Sequence, residues 1–413
     1  MIYKKLGDIC TDVIDCPHST PKWLEEGIPV IRNYNLVNGQ IDKATLSYVD
    51  EKTYKDRIKR GAPEEGDIII SREAPMGMVG IVPPNFRCCL GQRLVLLKVD
   101  KSQCNPHYLL YVMMSDYVQS QIKKADATGS IVSNLNIPDL KDLSIPIVDK
   151  STQEKVAKLL SLIDRKIKNN QDINENMQNQ IRLVYDYWFM QFDYPNKSGQ
   201  PYRSSGGKMK KSEISGRLIP SDWTETELLK VVSWNGGSQP PKSEHINEYK
   251  EGYVRFIQNR DYAGNDYLTY IPIAKKNKIC NEYDIMVDKY GDAGKTRFGI
   301  AGAYNVALSK IEVSLNSGQE YIRRFLESDA IKQYLAGACM ASTRASLNEA
   351  NLSFLSIVIP DEETLRRFEA YGKRVINTCL KNNKEINQLN ALRAWLLPML
   401  INGQVSIPDR EEV

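Results

Sequence analysis

Val156, Leu160, Ile163, Ile167, Asn170, Asn174, Met177, Ile181, Val184 and Trp188 follow one another at alternating steps of four and three. That spacing is the seam of a coiled-coil helix, apolar except for two asparagines near its middle. No Pro or Gly interrupts the stretch from Ser151 to Phe192. Such a helix is about 60 Å long at ~1.5 Å per residue. A sustained apolar seam needs a second helix to cover it, and the C-terminal region supplies one. There Leu365, Phe368, Val375, Ile376, Cys379, Leu380, Ile386, Leu389 and Leu396 recur at similar spacing. Lys168-Asn169-Asn170 returns as Lys381-Asn382-Asn383, each copy followed by an Ile three residues after its last Asn. The expected seam joins Val156, Leu160, Ile163, Ile167, Asn170, Met177 and Ile181 to Ile376, Leu380, Asn383, Ile386 and Leu389. Asn170 is expected to face Asn382 or Asn383 and fix the register. Gly372 and Arg393 weaken the second seam, and Pro398 is expected to end it.

The sequence ahead of each helix is also written twice. In the first copy, Ile28–Ile31, Asp67–Ile70, Val79–Val82 and Leu94–Leu97 have strand character between turn-forming glycines. A helix over Pro106–Lys124, a polar loop and the strand-like Leu143–Ile147 follow. In the second copy GIPVIRN (27–33) has a counterpart in GYVRFIQNR (252–260), and DIIISR (67–72) in DIMVDK (284–289). Gly77 matches Gly294, and Gly80-Ile81 matches Gly299-Ile300. A helix over Glu320–Leu335 and the strand-like Leu355–Pro360 complete it. The expected fold class is α+β: two similar globular domains separated by two long antiparallel coiled-coil helices, a pseudo-two-fold internal repeat. The segment 195–220, rich in Gly, Ser and Lys, reads as an exposed connector.

Composition excludes several classes. No run of about 18 apolar residues exists, so no membrane span is expected. MIYKKLGDIC lacks the apolar stretch of a signal peptide, and a cytoplasmic protein is expected. The eight cysteines are scattered and read as reduced thiols. Cys10, Cys16 and His18 match no usual zinc spacing, so no metal is expected. Net charge is +4 over 413 residues. The first 150 residues hold 13 Lys and 6 Arg against 13 Asp and 6 Glu, a balance of zero. A nucleic-acid partner must therefore be met by a local patch or with help from a basic partner.

The repeat suits double-stranded DNA. Two similar domains on a rigid helical ruler fit two half-sites about one helical turn (about 34 Å) apart in one groove. Divergent filling of a shared frame fits two different half-sites. Arg and Lys suit guanine edges, and Asn and Gln suit adenine edges. The candidate DNA contacts in the first copy are Arg32, Asn33, Ser71, Arg72, Gln92, Arg93, Ser130 and Asn134. In the second they are Gln258, Asn259, Arg260, Lys289, Tyr290, Lys295, Thr296 and Arg344.

In several of these motifs the chain resembles the specificity subunits of Type I restriction–modification systems, over essentially its whole length. The resemblance rests on GIPVIRN, GDIIIS, the run from Asn134-Leu135-Asn136 to Ile145-Pro146, and STQEKVAKLLSLIDRKI leading into the long helix. It also rests on Ser204–Met209 followed by Ile219-Pro220 and Trp223, and on GDAGKT in the second copy. The resemblance implies two target-recognition domains, 1–150 and 223–360. It implies spacer helices over 151–192 and 361–402, with a connector over 193–222. It further implies a split asymmetric DNA target and no catalytic centre. Two methyltransferase subunits and, for cleavage, two restriction subunits are the implied partners. S-adenosylmethionine and ATP are then expected in those partners alone.

A search for catalytic chemistry finds little. Gly291–Thr296 lacks the first glycine of a phosphate-binding loop, since that position is Lys289. Val82-Pro83-Pro84-Asn85-Phe86 has the wrong order for an amino-methyltransferase motif. His18, His107 and His245 lie in unrelated contexts. The other readings are a two-domain protein-interaction scaffold, which would explain the neutral first domain, and an enzyme with an unrecognised site. DNA selection by the assembled chain separates the first from recognition. Methyl transfer by the isolated chain would support the second.

Overall fold

A computed structural model of the chain describes residues 1–126, 134–265, 267–340 and 346–407. Two compact units result, Met1–Asn169 with Glu385–Val413, and Asn170–Lys384. Both long helices, Lys150–Tyr185 and Glu362–Ile401, run from one unit into the other.

The first unit is built on an antiparallel sheet ordered Cys10–Asp15, Leu94–Val99, Ile68–Ser71, Val79–Ile81. Its two central strands, LVLLKV and IIIS, are apolar without alternation because both faces are covered. Successive side chains point to opposite faces. Ile68, Ile70, Val95 and Leu97 enter the core beneath the helix Pro106–Met114. Ile69, Leu94 and Leu96 enter a second core with Ile31, Leu36 and Leu90. That second core lies under a small sheet ordered Ser47–Val49, Ile28–Ile31, Cys89–Leu90, whose last two strands are parallel. Ile2–Lys5 pairs with Ser144–Ile147.

The second unit repeats this plan. Its main sheet is ordered Val232–Gly236, Leu308–Val313, Ile285–Asp288, Thr296–Arg297. Ile285, Val287 and Ile311 face one core, Met286 and Leu308 the other. The small sheet contains Tyr253–Ile257 parallel to Gly302–Tyr304, and Thr224–Glu227 pairs with Ser356–Ile359. The repeat extends to single hydrogen bonds. Tyr108 donates its hydroxyl to the Pro146 carbonyl at 3.0 Å, and Tyr321 donates to that of Val358. Asp149 caps the first long helix, accepting from the Thr152 N–H and hydroxyl. Asp361 does the same with Thr364 at the second.

Most of the seam is buried or half-buried where the periodicity places it, but Asn383 is exposed and the neighbouring Asn382 is the buried one. In the first unit Val156, Leu160, Ile163 and Ile167 share a core with Leu400 and Ile401, against which Ile386, Leu389 and Leu396 pack. In the second unit Ile181 and Tyr185 share a core with Leu365, Phe368, Val375 and Cys379, and Met177 packs against it. Ile376 is buried as well. The N-terminal half of one helix thus meets the C-terminal half of the other, and the reverse, which is antiparallel pairing. Asn170 is buried in the seam, and Asn174 donates to Asn383 and accepts from Asn382, both at 2.8 Å. Two details differ from the sequence reading. Pro398 lies inside the last turns of a helix that continues to Ile401, since a proline near a C-terminus frees only one carbonyl. Gly372 and Arg393 are fitted positions. A Cβ at Gly372 would lie 2.6 Å from Cγ of Glu320, and Arg393 pairs with Asp164 at 2.6 Å.

The Gly/Ser/Lys-rich connector is largely exposed and carries ordered structure of its own. Met209–Lys211 pairs with Leu218–Pro220. Tyr194 stacks on Tyr202 and Trp223, with ring centroids 4.8 and 4.7 Å away. Asp193 accepts from the Ser204 N–H and hydroxyl.

Candidate nucleic-acid interface

At one end of the first unit's main sheet, four chain segments are laced together through the backbone. Arg72 donates its N–H to the Arg93 carbonyl at 2.8 Å and accepts from the Leu135 N–H at 3.0 Å. Gly91 donates to the Ile31 carbonyl at 2.7 Å. Asn33 donates its side-chain amide to the Ala74 carbonyl. The candidates Arg32, Asn33, Ser71, Arg72, Gln92, Arg93 and Asn134 are therefore brought together. Ser130 lies outside the described residues.

The second unit carries the same lacing. Lys289 donates its N–H to the Ala307 carbonyl and accepts from the Leu347 N–H, both at 2.8 Å, and Asn305 donates to the Ile257 carbonyl at 3.0 Å. Gly77 and Gly294, both at positive φ, close equivalent turns by donating to the carbonyls of Ser71 and Asp288 at 2.9 Å. Gln258, Asn259, Arg260, Lys289, Tyr290, Lys295 and Thr296 sit on this frame, and Arg344 lies outside the described residues.

A short 3-10 turn follows the middle strand of the small sheet in each unit, Asn33–Asn35 and Asn259–Tyr262. Each is locked by a buried side chain. Asn35 accepts the Arg32 N–H at 2.9 Å, and Asp261 accepts the Gln258 N–H at 2.7 Å. Burial pushes the Asp261 carboxyl above the usual range, opposed by that N–H and by Arg255 and Arg260. Locking the turn leaves its outward residues, Arg32 with Tyr34 and Arg260, on a stiff support.

The side chains then divide. Ser71 is fully buried, donating to the Pro75 carbonyl and accepting the Met78 N–H. Its hydroxyl shapes the loop and is not presented to a ligand. Arg72, expected as a base reader, donates to Asp15 at 2.8 Å, to the Leu135 carbonyl at 2.9 Å and to Asn134 at 3.3 Å. Its side chain is 12% exposed, so it clasps the loops instead of facing outward. Thr296 is engaged with Glu327 at 2.8 Å. Lys295 pairs with Asp292 at 3.0 Å, which holds that carboxyl below its usual range. Arg93 pairs with Glu73 at 3.2 Å and remains half exposed. Gln92 donates to the His18 carbonyl and the Thr20 hydroxyl. Tyr290 is exposed, and Lys289 is half-buried.

Sequence reasoning missed the aromatic residues here. The Arg32 guanidinium lies over the rings of Trp23 and Tyr34, 5.2 and 4.8 Å from their centroids. The Arg260 guanidinium lies 5.6 Å from the ring centroid of Tyr267, beside an open hollow of about 370 Å³. Exposed Trp and Tyr near loop arginines were the available signal. Among the described residues no three His, Cys, Asp or Glu side chains are placed to hold a metal ion. No helix among them is long and apolar enough to cross a membrane. The cysteines are free thiols, and burial pushes that of Cys88 to about 12 and that of Cys89 to about 11.

The family model described as the Type I restriction modification DNA specificity domain matches residues 2–179 and again 220–391, one copy on each repeat. The chain belongs to this family as a Type I restriction–modification DNA specificity subunit. The MjaIX specificity subunit of Methanocaldococcus jannaschii is 24% identical over 404 residues, covering 96% of this chain and 88% of the relative. The HindI specificity subunit of Haemophilus influenzae is 21% identical over 404 residues, covering 83% and 87%. A crystal structure of a Type I S subunit from M. genitalium superposes with a TM-score of 0.60 at 17% identity, covering 99% of this chain and 96% of that one. The specificity subunit shares that fold.

Proposed function

We propose that the two loop ends described above read two different half-sites of a split DNA target, and that the paired long helices set the distance between those half-sites. The observation that carries this reading is the doubled frame. The same backbone lacing recurs in both units, and the residues on it differ: Arg32, Asn33 and Tyr34 in one, Asn259, Arg260 and Tyr267 in the other. A shared scaffold with divergent outward side chains suits one mode of reading applied to two sequences.

The mechanism is differential binding. Base-edge hydrogen bonds select the sequence, while backbone phosphates supply affinity that falls with salt. Correct binding places the active site of a partner methyltransferase over a target adenine, which is then turned out of the stack. This chain supplies the address and no catalytic group. S-adenosylmethionine and ATP belong to partner subunits, expected as two methyltransferase subunits and, for cleavage, two restriction subunits, in the cytoplasm. The test is selection from a random duplex pool by the chain purified with its methyltransferase partner. A bipartite motif with one fixed spacer is expected. Recovery of unselected sequences would overturn the reading.

A further inference from the structure

Most arginines near the two loop ends are already engaged by the protein. Arg57 donates to the carbonyls of Leu90, Ser19 and Pro17. Arg72 holds Asp15, Leu135 and Asn134, and Arg297 is paired with the buried Asp288 at 2.8 Å. Arg32 differs, because among the described residues its guanidinium meets no carboxylate. It lies over two rings that are themselves exposed, Trp23 at 37% and Tyr34 at 45%. Its stem is also fixed. A Cβ at Gly91 would come within 3.2 Å of Arg32 Cγ, so the glycine allows the stem to lie flush on the neighbouring loop. In the second unit Arg260 occupies the same turn, 54% exposed, over Tyr267 and 3.9 Å from Asp261.

We propose that Arg32, backed by Trp23 and Tyr34, and Arg260, backed by Tyr267, are the guanine-reading residues of the first and second half-sites. The inference rests on the DNA-reading function proposed above. A guanidinium covered on its faces offers its edge, and that edge carries the paired donors that match O6 and N7 of guanine. Stacking on a ring holds it attractively without neutralising it. Fewer rotamers are then lost on binding, which favours discrimination over mere attraction.

The experiment uses the chain assembled with its methyltransferase partner, as wild type, Arg32→Lys, Arg260→Lys and Trp23→Leu. Each complex selects from a random duplex pool. Methylation is also measured on targets in which single guanines are replaced by 7-deazaguanine, which lacks N7. Lysine keeps the charge and loses the fork. R32K is expected to relax one guanine in one half-site by about ten- to hundredfold, leaving the other half-site intact, and R260K the converse. Trp23→Leu should relax the same guanine as R32K, to a smaller extent. The 7-deaza substitution at that guanine should slow wild type and leave R32K unaffected. A uniform loss at all sequences, with no change in which bases are selected, would make the residue a phosphate contact and overturn the assignment. Unchanged discrimination in R32K and R260K, or a selected motif without guanine, overturns it while leaving the DNA-reading function standing. A wild-type complex that selects no motif overturns both.

Discussion

Asp164 on the first long helix ties three parts of the first unit together. It accepts the Tyr111 hydroxyl at 2.6 Å on one oxygen and Arg393 of the C-terminal helix at 2.6 Å on the other. Its side chain is 10% exposed, that of Arg393 17%. Charge-assisted bonds of this kind contribute about 1.5–3 kcal/mol each. Removing one partner of a fully buried pair costs about 3–5 kcal/mol, because the other charge stays desolvated. Residual exposure of Arg393 discounts this, so Asp164→Ala should destabilise the first unit by about 3 kcal/mol. Asp164→Asn keeps an acceptor and should cost about half as much. In a double-mutant cycle with Arg393→Ala, the coupling should reach about 1–2 kcal/mol. The chain has two units, so a single melting temperature would blur the effect. Native-state hydrogen exchange resolves it: opening free energies should fall for amides in 106–114 and 156–167 and stay unchanged in 223–236. A loss below about 0.5 kcal/mol, typical of ordinary surface sites, would refute the clamp. So would an equal loss in both units.

Further outcomes follow from the same contacts. Gly372→Ala gains up to about 1 kcal/mol of helix propensity, yet its Cβ would lie 2.6 Å from Glu320 Cγ. Overpacking should win, with a net loss of about 1–2 kcal/mol in chemical denaturation of the second unit; a stabilised variant would show that Glu320 moves aside freely. Asn174→Leu removes a polar pair from the seam, so exchange protection of the helices should hold or rise while the pairing register loosens. Spin-label distances should then broaden, and a single sharp distance would contradict the register role. Burial raises the Glu369 carboxyl above its usual range, opposed chiefly by the Glu320 N–H it accepts at 2.8 Å. The folded state therefore holds this proton more tightly than the unfolded state. Its stabilising contribution is complete below about pH 4.3 and is lost as pH rises through the raised value. Glu369→Gln should flatten that decline in second-unit stability, and a steeper decline would contradict the assignment.

The seam was legible because its periodicity runs through the 36-residue helix Lys150–Tyr185, far longer than chance alternation. The repeated strands were legible because Gly27 and Gly77, with their counterparts Gly252 and Gly294, punctuate apolar runs at matched positions. Side-chain commitments were not legible, because they depend on partners distant in sequence. Nothing near Arg72 announces that Asp15 will take its charge, 57 positions away. Trp23 joins Tyr34 beside Arg32 only after the chain turns back on itself. The ordered structure within the connector was hidden for a related reason. Phe192, Tyr194, Ile219 and Trp223 are too sparse to show periodicity, yet all four meet in one core. Asn174 pairs with Asn382 and Asn383, and because adjacent seam layers share a spacing pattern, only the helix register decides which asparagines face one another.

Matched insertion of one heptad into both long helices tests the central claim most directly. The insertions fall between Asn169 and Asn170 and between Lys384 and Glu385, where the units divide. Seven residues add ~10 Å of helix, about three base pairs along DNA. Target selection by the assembled complex should return the same half-site bases with a spacer longer by about three base pairs, or no binding at all. Altered half-site bases at an unchanged spacer would contradict the account.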